Sequence, residues 1–293
     1  MSSFAGALAS DRSLVTCELN PPKGTDLGAL YEKASMLESR VDAFNVTDSA
    51  ASCMAMAPIA AAHLLSDRGI EPILQMTARN RNRLSVQSDL LAAAALGIRN
   101  VLCMSGDPPG VGDHPEAKTV FDIEAVAILR AIASLRGGAD MAGNELTGAP
   151  DLNSGAVANP GADDLDKELR RMEEKAEAGA AFFQTQAVYD PAAFETFMKA
   201  AVRFDVPVLA GLIVLKSARM ARNLNANLPG VHVPDSIIAE MDGADSRREK
   251  STEISARLIR EISPMCRGVH IMAIGWESRV PGILDAAGVS GGG

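Results

Sequence analysis

A glutamate inside an apolar run is the first residue of this chain that could do chemistry. Glu18 lies near the end of the stretch SLVTCEL and is followed by Asn20, Pro21 and Pro22. Carboxylates are rarely built into apolar segments unless they are paired or used. Desolvation in such a place favours the neutral acid, the form a proton donor needs. The other reading is a structural glutamate paired with Arg or Lys.

Polar groups recur after later apolar runs. Asn45, Thr47 and Asp48 follow one, Gln75 and Thr77 the next, then Ser105, Gly106 and Asp107, then Gln184, Thr185 and Gln186. Gly106 permits close backbone approach to a ligand, and Asp107 is either a ligand carboxylate or an ordinary turn former. Arg79, Arg81 and Arg83 come after Thr77. They could hold a phosphate, or they form a solvated first helical turn, where arginine opposes the helix dipole unless something anionic compensates. His270 stands alone in its run and reads as a core residue before it reads as a ligand. No HxH, HExxH or CxxC spacing is present, so no metal is implied, and no GxSxG elbow is present.

These residues sit in a repeating frame. Short β-rich runs at 13–19, 42–47, 71–76, 99–104, 152–158, 181–185, 207–213 and 267–273 alternate with amphipathic helical stretches at 26–38, 50–67, 82–96, 122–135, 163–177, 191–202, 217–225, 235–241, 248–262 and 278–287. Alternation of this kind implies a parallel sheet covered on both faces. Eight such units predict a single (β/α)₈ TIM barrel over residues 1–293, with function at the C-terminal ends of the strands. An open doubly wound sheet is the rival fold, and the absence of a glycine-rich turn after the first strand counts against it. Residues 136–150, crowded with Gly, Asn and Pro, read as a long loop within the barrel chain, and 290–293 read as a frayed end.

Composition narrows the function classes. A net charge of −9 argues against a nucleic-acid partner, although a local basic cluster can still take an anionic small molecule. No apolar run reaches the roughly 18 residues needed to span a membrane, and the first twelve residues do not read as a signal peptide. Cys17, Cys53, Cys103 and Cys266 form no close pairs, and small buried thiols in a cytoplasmic protein are the expectation.

Taken in register, Glu18-Leu19-Asn20-Pro21-Pro22, Asn45-Val46-Thr47-Asp48, Gln75-Met76-Thr77, Ser105-Gly106-Asp107 and Thr185-Gln186 resemble the methylenetetrahydrofolate reductases across the whole chain. The segment from Gly268 to Glu277 resembles the version found in one-carbon-metabolising and acetogenic bacteria. The resemblance implies a flavin-dependent barrel that reduces methylenetetrahydrofolate to methyltetrahydrofolate, or runs the reverse oxidation, by hydride transfer. Glu18 would be the general acid, protonating N5 of the folate and opening its imidazolidine ring to an iminium. Asp107 would sit between flavin and pterin and bind the pterin, with Gln186 and Leu224 at the same ligand. Thr47, Gln75, Thr77, Arg79, Ser105, Gly106, Asn159 and Lys175 would line the cofactor. FAD is the implied cofactor, with FMN or no tightly bound flavin as alternatives. NAD(P)H is the expected electron donor, a partner subunit the alternative donor, and a homo-oligomer the expected assembly. A pterin-binding methyltransferase barrel is the competing activity.

The chain departs from the best-known bacterial members at several points. Gln75 replaces a His, Gly155 an aromatic residue, Asn159 a His, and Leu224 an aromatic gate. Glu174-Lys175 stands where an Arg-Lys pair faces the FAD phosphates, which predicts a loss of positive charge on that helix.

Overall fold

The computed structural model describes residues 4–292. Eight parallel strands hydrogen-bond in sequence order and the eighth returns to the first, closing a barrel. They are β1 (Leu14–Leu19), β2 (Ala43–Val46), β3 (Pro72–Thr77), β4 (Asn100–Met104), β5 (Asn153–Ala158), β6 (Phe182–Ala187), β7 (Val208–Ile213) and β8 (Gly268–Met272). The helices are α1 (Phe4–Leu8), α2 (Gly28–Leu37), α3 (Pro58–Ser66), α4 (Arg83–Ala95), α5 (Ala125–Arg136), α6 (Leu165–Glu177), α7 (Pro191–Ala201), α8 (Ala218–Asn227), α9 (Asp235–Asp242), α10 (Arg247–Ile262) and α11 (Val280–Ala287). No helix among the described residues is long and apolar enough to cross a membrane.

Strand alternation sends one set of side chains outward and one inward. On β1, Val15, Cys17 and Leu19 face outward into the large aliphatic layer beneath the helices. Leu14 packs instead in a second, smaller cluster with Ala43, Ile73, Leu102, Phe182 and Leu209. That cluster fills the N-terminal end of the barrel. The short α1, which the sequence pattern did not signal, plugs it: Phe4 meets the Phe182 ring edge-on at 5.3 Å. The opposite end is open, and the polar residues after the strands collect there.

Local chemistry sets the element ends. Asn82 caps α4 by accepting from the N–H groups of Leu84 and Ser85, and Gly97, at φ 81°, ends that helix. The helix expected over 50–67 is broken. A single 3₁₀ turn spans Ala50–Ser52, α3 begins only at Pro58, and Ser49, Ala51 and Ser52 adopt left-handed φ values of 52°, 50° and 55°. The stretch 137–152 is a loop on the closed side of the barrel, ordered by Asp140, whose carboxylate accepts from Ala142 and Asn144 N–H. The end expected to fray is tied down through residue 292: Gly291 N–H donates to the Arg40 carbonyl and Gly292 N–H to Asp42. Gly293 lies outside the described residues.

The cysteine expectation holds for two residues and fails for one. Cys17 and Cys103 are buried, and burial pushes both thiols far above their ordinary value. Cys266 is partly buried and pushed up to about 11 by the same cause. Cys53 is exposed, because the broken helix leaves it on a surface loop. Only the thiolate reacts rapidly, so Ellman's reagent at neutral pH should titrate one thiol quickly in the native protein and four after unfolding. Equally fast reaction of a second cysteine would contradict this burial pattern.

Candidate active site

A cavity of about 500 Å³ opens at the C-terminal mouth of the barrel. Its floor is polar. Glu18, on β1, is the one carboxylate carried by any of the eight strands. Its side chain is 22% exposed, and Oε1 accepts a 3.1 Å hydrogen bond from Nε2 of Gln75 on β3. Among the described residues no Lys or Arg pairs with Glu18. The nearest basic group is His270 on β8, at 3.7 Å. A glutamate neutralised by a long basic side chain finds no such partner among the described residues.

Most of the residues singled out from sequence meet at this cavity. Gln75, Thr77, Arg79, Ser105, Gly106, Asp107, Asn159, Lys175 and Gln186 line it together with Glu18. Asp107 and Gln186 present side chains to it that have no protein partner among the described residues. Gly106 is needed for two reasons. Its φ is 88°, and a Cβ there would come within 2.9 Å of Thr77 Cβ and 3.2 Å of Arg79 Cβ. The loop after β4 thus lies hard against the end of β3.

Two of the expected site residues stand outside the cavity lining. Thr47 does not line the cavity: it is buried behind the end of β2, and its hydroxyl donates to Asn20 Oδ1 at 2.7 Å. Leu224 belongs to the buried stripe of α8 with Ala218 and Ala221, three-residue steps along one helix face. It packs in the core, and Leu228, one turn further on, reaches the cavity instead.

The three arginines after β3 have different fates. Arg81 donates to Asp48 at 2.6 Å and to Asp89 at 2.8 Å. Burial disfavours its charge, yet the two aspartates hold it above the ordinary arginine value. Arg83 is spent on Asp122 and exposed. Only Arg79 lines the cavity, and it is 3% exposed. Its donors reach only neutral acceptors: Asn80 Oδ1, Ser52 Oγ and the carbonyls of Asp48 and Asp107. It stitches the loops after β2, β3 and β4 together and, among the described residues, has no ion-pair partner in the wall.

Positive charge on α6 is also recovered by a route the sequence reading missed. Glu174 is turned to solvent, while Arg171, four residues before Lys175, lines the cavity beside it. An i, i+4 pair shares one helix face, and this spacing was the available signal. Lys175 donates to the Val157 carbonyl at 2.7 Å. Burial holds its ammonium below the usual lysine value, partly opposed by Glu168 and reinforced by Arg171. Arg171 pairs with Glu124 at 3.6 Å and Lys175 with Glu168 at 4.0 Å, so the anionic tail of a nucleotide-like cofactor would bind here by displacing carboxylates that line the same cavity.

The family model for methylenetetrahydrofolate reductase matches residues 4–288. Among similar proteins, "Methylenetetrahydrofolate reductase 2" of Schizosaccharomyces pombe is 26% identical over 242 residues, covering 75% of this chain and 36% of that protein. "Methylenetetrahydrofolate reductase (NADH) 1" of Zea mays is 23% identical, covering 97% of this chain and 49% of that protein. The chain thus spans between about a third and a half of the length of the curated relatives it matches. A solved structure from Clostridium thermocellum, described as an uncharacterized protein that binds two copies of 5-methyl-5,6,7,8-tetrahydrofolic acid, shares the fold with a TM-score of 0.66 at 16% identity, covering 98% of each chain. A match to the family model over nearly the whole barrel shows that the chain belongs to the methylenetetrahydrofolate reductase family.

Proposed function

We propose that the cavity binds a tetrahydrofolate one-carbon derivative and that the protein interconverts its methylene and methyl forms. The observation that carries this reading is Glu18, a strand carboxylate without a Lys or Arg partner on the floor of an open cavity, in a chain of this family. The likeness to a barrel described with bound 5-methyltetrahydrofolic acid supports the ligand class.

In this reading Glu18 donates a proton that opens the five-membered ring. The acceptor must be N10, not the N5 that the resemblance implies. A product methylated at N5 requires the bond from the methylene carbon to N10 to break, so N10 takes both the electron pair and the proton. Asp107 and Gln186, the free polar side chains of the wall, bind the amino-pyrimidine edge of the pterin by hydrogen bonds. Ser105 and Gly106 shape the loop that brings Asp107 there. Arg171 and Lys175 hold the phosphate of a flavin, with Arg79 fixing the opposite wall. A flavin bound there would supply the hydride, and NAD(P)H or a partner protein would supply its electrons.

The purified protein, given methylenetetrahydrofolate and either NADH or NADPH, is expected to form methyltetrahydrofolate detectable by chromatography. Methyl transfer without any reductant would overturn the reading. The cofactor contacts are tested by flavin retention through gel filtration. Lys175→Ala should weaken flavin binding about tenfold or more, the typical cost of losing a charge-assisted contact. Arg83→Ala should leave it unchanged, because that guanidinium is spent on Asp122. The opposite pattern would move the cofactor tail to the β3 side of the mouth.

A further inference from the structure

Glu18 faces a histidine whose tautomer is set from below. His270 is 3% exposed, and its two ring nitrogens have different neighbours. Nε2 lies 3.7 Å from Glu18 Oε1, and Nδ1 lies 2.9 Å from Thr16 Oγ1. In a neutral imidazole one nitrogen carries the proton and the other accepts, so the neighbour of one decides the state of the other.

Thr16 is itself constrained. Asn45 and Gln184 form a reciprocal amide pair in the middle of the barrel: Asn45 Nδ2 donates to Gln184 Oε1 at 2.6 Å, and Gln184 Nε2 donates back to Asn45 Oδ1 at 3.1 Å. The same Gln184 nitrogen donates to Thr16 Oγ1 at 3.1 Å. With its oxygen receiving that N–H, the Thr16 hydroxyl has one proton to give, and His270 Nδ1 is the acceptor within its reach. If the hydroxyl gives its proton there, Nδ1 is bare and the ring proton sits on Nε2, facing Glu18.

We infer that His270 is a positioning residue for Glu18, held as the Nε2–H tautomer by the Asn45–Gln184–Thr16 relay, and that its N–H steadies the carboxylate left when the proton departs. This rests on the reading of Glu18 as proton donor. In that step the Glu18 O–H bond breaks and an N–H bond forms at N10. The electron pair of the cleaved carbon–nitrogen bond stays on N10, so a positive charge appears on the ligand and a negative one on Glu18. Gln75 already donates to that carboxyl group, and His270 is the second donor. At 3.7 Å the contact is longer than a hydrogen bond. Catalytic hydrogen bonds are often long before the ligand binds and tighten as charge develops.

Long-range proton–nitrogen correlation spectra of the whole protein, labelled with ¹⁵N-histidine, read the tautomer directly. The expected result for His270 is a protonated Nε2 and a bare Nδ1, with a mixture of tautomers in Thr16→Val. A protonated Nδ1 in the unsubstituted protein overturns the inference. Rate measurements of the folate half-reaction give the second test. His270→Leu should slow the chemical step about 10- to 100-fold, the range for losing a hydrogen bond to a charged group, with folate affinity retained. His270→Gln, which keeps an N–H donor, should recover part of the loss. In a Glu18→Gln background His270→Leu should cost nothing further. The same loss with and without Glu18 would make His270 a structural residue and overturn the inference, while the reading of Glu18 survives. Full activity in Glu18→Gln itself would bring down both.

Discussion

Glu18→Gln is expected to leave the barrel folded and the folate bound while slowing folate reduction by about 10²–10⁴-fold, the usual contribution of a general acid. The substitution is nearly isosteric, and the amide oxygen can still accept from Gln75, so the one hydrogen bond this side chain makes survives. No Lys or Arg loses an ion-pair partner, and stability should change little. What disappears is a transferable proton at the cavity floor. Reduction of bound flavin by an electron donor needs no proton from Glu18 and should continue at its normal rate. Stopped-flow measurement of the two half-reactions separates these effects. Near-normal folate reduction in the variant would remove Glu18 from the mechanism, and equal loss in both half-reactions would mark a damaged cofactor site instead.

How this carboxylate could be found from sequence shows what is legible and what is not. Eight apolar runs alternating with helices carry the barrel, because strand burial and helix amphipathicity are local patterns. Glu18 and Asp107 were legible for the same reason: a polar residue at a strand end is visible without knowing its partners. Partnerships were not legible. Arg79, Arg81 and Arg83 look equivalent in sequence, yet Arg81 finds Asp48 and Arg83 finds Asp122, 33 and 39 residues away. The helix expected over 50–67 fails for a related reason. Its alanine-rich pattern favours helix locally, but the Ser52 hydroxyl donates to the Asp107 carbonyl and receives Arg79 Nη1. Those tertiary bonds hold the segment in left-handed turns. The relay beneath Glu18 joins Thr16, Asn45, Gln184 and His270 from four strands. It exists only once the barrel closes.

The unequal fates of Arg81 and Arg83 predict unequal stabilities, with Arg81→Ala the more damaging. Asp48 is almost fully enclosed, its side chain 4% exposed, and Arg81 is 12% exposed. One oxygen of Asp48 receives the Thr77 N–H at 2.9 Å, the Thr77 hydroxyl at 2.7 Å and Arg81 Nη1 at 2.6 Å. Arg81 also donates to Asp89 and to the Thr77 carbonyl. Removing the guanidinium leaves a buried carboxylate with hydrogen bonds but no countercharge, which costs about 3 kcal/mol, the lower end for a broken buried pair. For a chain of this size the melting temperature should fall by roughly 5 °C. Arg83→Ala removes a pair whose arginine is 58% exposed, worth at most about 1 kcal/mol. Arg81→Lys should rescue only part, because a single ammonium cannot reproduce the fork that spans Asp48 and Asp89. Asp48→Asn added to Arg81→Ala should recover stability relative to Arg81→Ala alone, since the unpaired charge is gone. The effect reaches the cavity as well. The Asp48 carbonyl accepts from Arg79, so loosening Asp48 loosens the loops that carry Ser52 and Asp107, and folate affinity should drop although Arg81 does not line the cavity. Thermal melts of the four variants, paired with folate binding, test the chain of argument. A melting temperature for Arg81→Ala close to that of Arg83→Ala would mean that Thr77 alone satisfies Asp48.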